Sequence, residues 1–123
     1  MAITVVIPTL NEEKNLPQTL ACLSTAALRE IIIVDGGSTD GTVSLAEGFC
    51  ARTLNARIMT SSRGRARQMN EGAKASQGEI LLFLHADTQL PAQAGPIIEL
   101  ALSKHPSAVG GRFNVRFDNP SVW

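Results

Sequence analysis

The sequence has few aromatic residues, no net charge, few cysteines and no apolar run long enough to cross a bilayer. Only 4% of its 123 residues are aromatic, so Ile, Val, Leu and Ala supply most of the 44% that are hydrophobic. Eleven basic and eleven acidic residues cancel, which argues against nucleic acid as a partner because a polyanion selects a basic surface. The length predicts a single domain with a real core.

Other features that the sequence lacks indicate its cellular compartment and exclude one class of enzyme. Cys22 and Cys50 have apolar neighbours and no metal-ligand spacing, which predicts buried thiols in a reducing compartment. The start of the chain lacks the basic region of a signal peptide, so we expect a cytoplasmic protein. The missing membrane span leaves peripheral membrane association open. No Gly-x-Gly-x-x-Gly follows the first apolar run, which argues against a dinucleotide oxidoreductase.

Short apolar runs alternate with helical patterns throughout the chain. We predict strands at residues 3–7, 30–34, 57–60 and 79–84, and a half-exposed strand near the end of 108–117. Pro8 is expected to end the first strand. Helices are predicted at residues 15–27, 42–51, 65–75 and 91–104. This alternation indicates an α/β fold, with a mostly parallel, Rossmann-like sheet flanked by helices.

The run at residues 81–84, LLFL, is typical of a strand buried on both faces, and it ends at His85 and Asp87. Ligands of open α/β sheets collect at the carboxyl ends of strands. Asp87 could therefore hold a divalent cation that carries a phosphorylated substrate, or it could cap the turn before Pro91. His85 could bind the metal, hydrogen-bond a sugar or be a half-buried imidazole, and the sequence does not rank these roles.

The loop at residues 35–42, DGGSTDGT, follows the second predicted strand. Asp35 is placed to accept a hydrogen bond from a base or ribose, as acidic residues after a second strand do in dinucleotide folds. The alternative interpretation is that the loop is a turn followed by a helix, which Asp40 caps.

Three arginines, Arg63, Arg65 and Arg67, surround the predicted start of a helix. Cations oppose the helix dipole at this end, so the placement is unfavourable unless an anion binds there. Guanidinium groups match phosphate oxygens in geometry and charge, which favours a phosphate site over a solvated basic turn. The loops that follow the predicted strands would converge on one edge of the sheet. With a metal at Asp87, the arginines could bind a nucleoside diphosphate.

Three segments carry a resemblance to a known family. Residues 3–12 (ITVVIPTLNE), 31–42 (IIIVDGGSTDGT) and 78–88 (GEILLFLHADT) resemble, in this order, signatures of the family 2 glycosyltransferases. The resemblance implies the nucleotide-sugar-binding half of a GT-A fold. It also implies an inverting transferase that uses Mg²⁺ or Mn²⁺ with a UDP- or GDP-linked sugar and an unidentified acceptor.

The resemblance also implies roles for individual residues. Pro8, Thr9 and Glu12 would line the nucleoside pocket, Asp35 would face the base, and Asp87 would bind the metal, whose Lewis acidity stabilises the leaving diphosphate.

Two positions depart from the usual pattern of the family. His85 replaces the first Asp of the Asp-x-Asp metal motif, as in a subgroup with GRARQMN before it. Met69 replaces a basic residue, which leaves the phosphate role to Arg65 or Arg67.

Members of the family continue well beyond the metal motif into an acceptor-binding half that supplies the general base. No recognisable base motif follows Asp87 in this sequence. We therefore expect residues 1–123 to be a truncated nucleotide-binding domain whose exposed apolar surface favours self-association. Two functions follow: a glycosyltransferase, or a nucleotide-binding module without independent transferase activity.

Overall fold

The computed structural model describes residues 2–113, with only the backbone described at residues 24 and 25. The predicted alternation of strands and helices is confirmed over this range. The four strands are β1 (Ile3–Thr9), β2 (Glu30–Asp35), β3 (Ala56–Thr60) and β4 (Ile80–Phe83). The helices are α1 (Leu16–Ala21), α2 (Thr42–Ala51), α3 (Arg65–Ala75) and α4 (Ala94–Lys104), and a 3₁₀ helix, Cys22–Thr25, follows α1.

All four strands are parallel and lie in the order β3-β2-β1-β4. Val5 pairs with Ile31 of β2 on one side and with Leu82 of β4 on the other. The chain order therefore reverses between β1 and β4, and ligands of such sheets bind at the carboxyl edge beside this point. The predicted parallel α/β architecture is confirmed.

The helices cover the two faces of the sheet unequally. The larger core lies between one face and α1, α2 and the start of α4, where Leu16, Ala46 and Ala94 are buried. The other face packs against α3 through a smaller cluster of Val6, Ile32 and Val34. This double coverage explains the continuous apolar runs of β1 and β2.

α3 approaches the sheet closely at Gly72. A Cβ atom at this position would lie 2.4 Å from Cγ1 of Val6, so only glycine allows the contact.

Strand β4 departs from the prediction of burial on both faces. Leu81 and Phe83 are 39% and 43% exposed. They lie opposite Thr4 and Val6, on the face that carries α3, but α3 packs over β1 and β2 and leaves the edge strand uncovered. The apolar run was therefore correctly assigned as a strand, but the prediction that both of its faces are buried was wrong within the described residues.

Three element boundaries also differ from the prediction. β1 continues through Pro8 to Thr9. The backbone carbonyl of Val6 accepts a hydrogen bond from the chain at the end of β4. The backbone of Pro8, two residues later, points to the same side, but the pairing between β1 and β4 ends before Pro8. Because proline has no N–H, a hydrogen bond to a neighbouring strand could be missing here, but no strand of the described residues lies on that side at this point to accept one.

The first helix changes to a 3₁₀ helix after Ala21. Pro91 begins a turn, and α4 starts at Ala94.

The predicted strand at the end of 108–117 falls largely outside the described residues. Within residues 2–113, none of the helices is long and apolar enough to cross a membrane.

Candidate functional site

A cavity of about 260 Å³ opens at the carboxyl edge of the sheet, where β1 and the start of α3 meet. It brings together five residues that the sequence predicted for substrate binding. The lining residues are Pro8, Thr9, Leu10, Glu12, Arg63, Gly64, Arg65 and Gln68. One wall is the end of β1 with its following loop, and the other is the turn that starts α3. The cavity therefore combines a wall that carries one carboxylate, that of Glu12, with a wall that carries two arginines.

Gln68 is a residue of this cavity that the sequence analysis missed. It is 3% exposed, and its Nε2 donates hydrogen bonds to the carbonyls of Thr9 and Val34, both at 2.8 Å. Its Oε1 accepts from the Gly64 amide at 3.3 Å. One side chain therefore holds the ends of β1 and β2 and the turn before α3. A polar residue at a buried helical position is the sequence signal that could have identified it.

Asp35 lies beneath the rim and is 1% exposed. Its Oδ1 accepts from the hydroxyls of Thr9 (2.8 Å) and Ser38 (2.6 Å), and its Oδ2 accepts from the amides of Gly37 (3.0 Å) and Ser38 (2.8 Å). Both oxygens are thus engaged by the chain itself. In this structure the carboxylate orders its own loop, and the predicted contact with a base stays a prediction.

The environment of Asp35 favours its charged form. Burial of the carboxyl raises its pKa, but the hydrogen bonds from Ser38, Thr9 and Gly37 outweigh burial, so the pKa lies below the ordinary value of an aspartate.

The loop after β1 is fastened to the loop after β2 by side chain to backbone hydrogen bonds. Oδ1 of Asn11 accepts from the Thr39 amide at 2.8 Å, and the Asn11 amide donates to Ser38 Oγ at 2.9 Å. The Glu12 amide donates to Thr42 Oγ1 at 2.8 Å. Further bonds of this set join Glu13 to Asp40 and Gly41, and Asn11 to the Asp40 amide. These bonds hold Glu12 at the mouth of the cavity before any ligand arrives.

The three arginines do not all face the same space. Arg63 and Arg65 line the cavity, and Gly64 between them has a φ of 141°, which lets the chain turn into α3. Arg67 instead lines a neighbouring polar cavity of about 420 Å³, together with Thr60 and Lys74. The geometry therefore favours Arg63 and Arg65 as anion ligands, and a phosphate contact by Arg67 stays a prediction.

His85 and Asp87 lie in a turn that follows β4, and both are exposed. The turn is closed by a hydrogen bond of 3.0 Å from the Thr88 amide to the His85 carbonyl. Ala86 between them is 3% exposed and packs into the larger core. Neither His85 nor Asp87 lines the cavity, but β4 is the neighbour of β1, so the turn belongs to the same edge of the sheet.

A divalent cation would have few protein ligands here. No group of three or more His, Cys, Asp or Glu side chains suitable for a metal occurs among residues 2–113. The oxygens of Asp87 suit Mg²⁺ or Mn²⁺, and Mg²⁺ in particular takes one or two carboxylates and completes its coordination with phosphates and water. The residues present therefore fit a metal that arrives with a phosphorylated ligand.

Comparison with known proteins identifies the family. The model of glycosyl transferase family 2 matches residues 4–123. Dolichol-phosphate mannosyltransferase of Mycosarcoma maydis is 33% identical over 132 residues, which cover 98% of this chain and 45% of that protein. Undecaprenyl-phosphate 4-deoxy-4-formamido-L-arabinose transferase of Pseudomonas paraeruginosa is 31% identical over 129 residues. The match covers 98% of this chain and 38% of that protein. The chain thus spans less than half the length of these relatives.

Solved structures share the fold. S. aureus TarS, residues 1–349, has a TM-score of 0.72 at 24% identity, covering 94% of this chain and 39% of that one. Mannosyltransferase PcManGT from Pyrobaculum calidifontis, in complex with GDP-Man and Mn²⁺, has a TM-score of 0.70 at 28% identity. The match covers 80% of this chain and 32% of that one. These likenesses confirm the predicted GT-A fold. The family model and the relatives together show that the chain belongs to glycosyl transferase family 2.

Proposed function

We propose that this protein binds a nucleotide diphosphosugar in the cavity at the carboxyl edge and transfers the sugar, with inversion, in a metal-dependent reaction. One observation carries the proposal: a single cavity is lined by residues of two segments more than fifty residues apart in the sequence, the end of β1 with its following loop (Pro8, Thr9, Glu12) and the start of α3 (Arg63, Arg65).

The two walls of the cavity would hold different parts of the nucleotide. Pro8, Thr9 and Glu12 would contact the nucleoside, since the carboxylate of Glu12 on this wall would repel the phosphates. Arg63 and Arg65 would face the diphosphate, whose negative charge would offset the unfavourable position of two cations near the start of α3.

Asp87 would hold the Mg²⁺ or Mn²⁺ that accompanies the diphosphate, and His85 is proposed as a substrate-binding residue beside it. When bound, the metal supplies Lewis acidity at the leaving group, where negative charge develops. The protein's own contribution is to hold the donor by its nucleoside and to place positive charge beside its phosphates. The complex of the similar mannosyltransferase with GDP-Man and Mn²⁺ supports a nucleotide sugar and a divalent metal as the ligands. The His-Ala-Asp sequence at residues 85–87 further suggests a subgroup in which histidine replaces the first aspartate.

A nucleotide-binding module without independent transferase activity is the second candidate. It is favoured by the site itself, since every residue assigned above lies between Pro8 and Asp87 and would contact the donor or its metal only. The general base and the acceptor site are not assigned to any of the described residues. Asp118, the last carboxylate residue of the sequence, falls outside the described residues.

Isothermal titration calorimetry with UDP, GDP and NAD, each with and without Mn²⁺, tests the donor site. We expect one of the two diphosphates to bind, with an affinity that Mn²⁺ raises at least tenfold, and NAD not to bind. Asp87→Asn should abolish the gain from Mn²⁺ while leaving unfolding by urea unchanged, because Asp87 is exposed.

Glu47→Gln is the matched control, since Glu47 is an exposed carboxylate on α2. If Asp87→Asn keeps the full gain from Mn²⁺, the metal site is wrongly assigned. Assays of sugar release and transfer then separate the two candidates: turnover supports the enzyme, and tight binding without turnover supports the module.

Two broader expectations remain proposals. Cytoplasmic localisation is proposed because Cys22 and Cys50 are free thiols, although both are only partly buried. Self-association follows from the exposed apolar side chains of β4 and α4, which are Leu81, Phe83, Ile97 and Leu100.

A further inference from the structure

Thr19 joins helix α1 to the turn that carries Asp87. It is 1% exposed, and its hydroxyl Oγ1 donates a buried hydrogen bond of 2.6 Å to the carbonyl of Ala86, 67 residues away in the sequence. The carbonyl of Asn15, the residue just before α1, lies at 3.3 Å from the same hydroxyl. Because a hydroxyl has one proton and the Ala86 contact is much shorter, the tertiary bond is the one to expect.

Ala86 is thereby held at two points. Its methyl group packs into the larger core, and its carbonyl is bound by Thr19. The hydrogen bond from the Thr88 amide to the His85 carbonyl closes the turn around it. With Ala86 fixed inward, the neighbouring His85 and Asp87 are both exposed at the edge of the sheet.

Other contacts between α1 and this segment are weaker. Gln89 accepts from the Cys22 thiol at 3.8 Å and donates to Gln18 at 3.3 Å, and both contacts are exposed. Exposed contacts exchange readily with water and hold a backbone poorly. The buried hydroxyl of Thr19 is therefore the main polar link between α1 and the turn among the described residues.

We propose that Thr19 is a positioning residue for metal binding: it fixes the backbone of Ala86 so that Asp87 is presented to the cation without reorganisation. This inference rests on the proposed function, because it takes Asp87 as the metal ligand. A loosened turn must be ordered when the metal binds, and this ordering lowers affinity. Loss of supporting contacts behind a ligand typically lowers metal affinity by about tenfold or more.

The test compares Thr19→Val, which keeps the shape and removes the hydroxyl, with Thr19→Ser, which keeps the hydroxyl. The first readout is the affinity for UDP or GDP, whichever binds the wild type, with and without Mn²⁺. We expect Thr19→Val to lose about tenfold of the gain from Mn²⁺ while its metal-free affinity stays within twofold of wild type. Thr19→Ser should keep most of the gain.

The second readout needs neither metal nor activity. Hydrogen exchange of the Thr88 amide should be faster in metal-free Thr19→Val than in wild type, because the turn opens more often. If Thr19→Val does not fold, Thr19→Ala allows the same comparison.

An unchanged gain from Mn²⁺ in Thr19→Val would overturn the inference, and so would an equal loss of affinity with and without the metal. Asp87→Asn separates this failure from failure of the proposed function. If Asp87→Asn removes the gain and Thr19→Val does not, only the role of Thr19 is wrong.

Discussion

The two sides of the carboxyl edge are built differently. On the β1–β2 side, the loops are joined by a network in which Asp35 alone accepts four hydrogen bonds and Gln68 makes three. On the β4 side, His85 and Asp87 are exposed, and a short turn held mainly at Ala86 presents them. The proposed nucleoside side is therefore already ordered by the chain itself, whereas the proposed metal side depends on one anchored residue.

This contrast has a physical reason. A nucleoside needs a cavity of fixed shape, and burying polar groups to make one requires that each be hydrogen-bonded. A hydrated divalent cation needs accessible carboxylate oxygens, which a buried network would occupy. We therefore expect substitutions on the first side to change folding stability strongly, and those on the metal side to change mainly binding.

The largest effect is expected from Gln68→Met, which keeps the volume and removes all three hydrogen bonds. The Val34 carbonyl would lose its bond to a buried amide, and the turn at Gly64 would lose its tie to the sheet. We expect the free energy of unfolding, measured in urea, to fall by about 2–3 kcal/mol. Nucleotide affinity without metal should fall as well.

Gln77→Met is the matched control, because Gln77 is exposed and lies before β4 at the opposite edge. A loss below about 0.5 kcal/mol in Gln68→Met, the range of ordinary surface substitutions, would show that the β1–β2 side is not held by this side chain.

Asp35→Asn should have the next largest effect. An amide nitrogen would face donors that now point at a carboxylate oxygen, so we expect a loss of about 2 kcal/mol at neutral pH. The folded pKa of Asp35 lies below the usual value of about 3.9. The carboxylate therefore stabilises the fold above about pH 4, and this stabilisation is lost as the pH falls through the folded pKa.

Urea unfolding from pH 7 to pH 2 measures this dependence. The wild type and Asp35→Asn should differ most at neutral pH and converge in acid. A difference that stays constant over the whole range would contradict a stabilising role for the charge of Asp35.

The smallest effect on stability is expected from the pair Arg63→Ala and Arg65→Ala, although both residues line the cavity. Removing cations near the start of α3 should leave the free energy of unfolding unchanged or raise it by less than about 1 kcal/mol. Diphosphate affinity should fall about tenfold for the double variant, less so at high salt, because charge-assisted hydrogen bonds are lost.

Arg29→Ala serves as the control for charge, since Arg29 is exposed just before β2, at the other edge of the sheet. If the double variant binds UDP and GDP as the wild type does, the phosphates lie elsewhere.

Much of this molecule was predictable from local sequence patterns. The order of strands and helices follows from apolar runs and turn residues, and the parallel sheet follows from their alternation. Loops after parallel strands share one edge, so the meeting of Pro8, Thr9 and Glu12 with Arg63 and Arg65 could be expected. The family could be recognised for the same reason, since its signatures are these strand ends.

Only the tertiary structure decided which polar side chains turn inward. Gln68 donates a hydrogen bond to Thr9, 59 residues away in the sequence, and Thr19 donates one to Ala86, 67 residues away. Neither partner can be predicted from the residues next to it in the sequence. The same holds for Arg67, which faces a different cavity from Arg63, and for β4, whose exposed face depends on where α3 lies. Periodicity determines which face of an element is apolar, but hydrogen-bond partners depend on distances between elements, which packing alone sets.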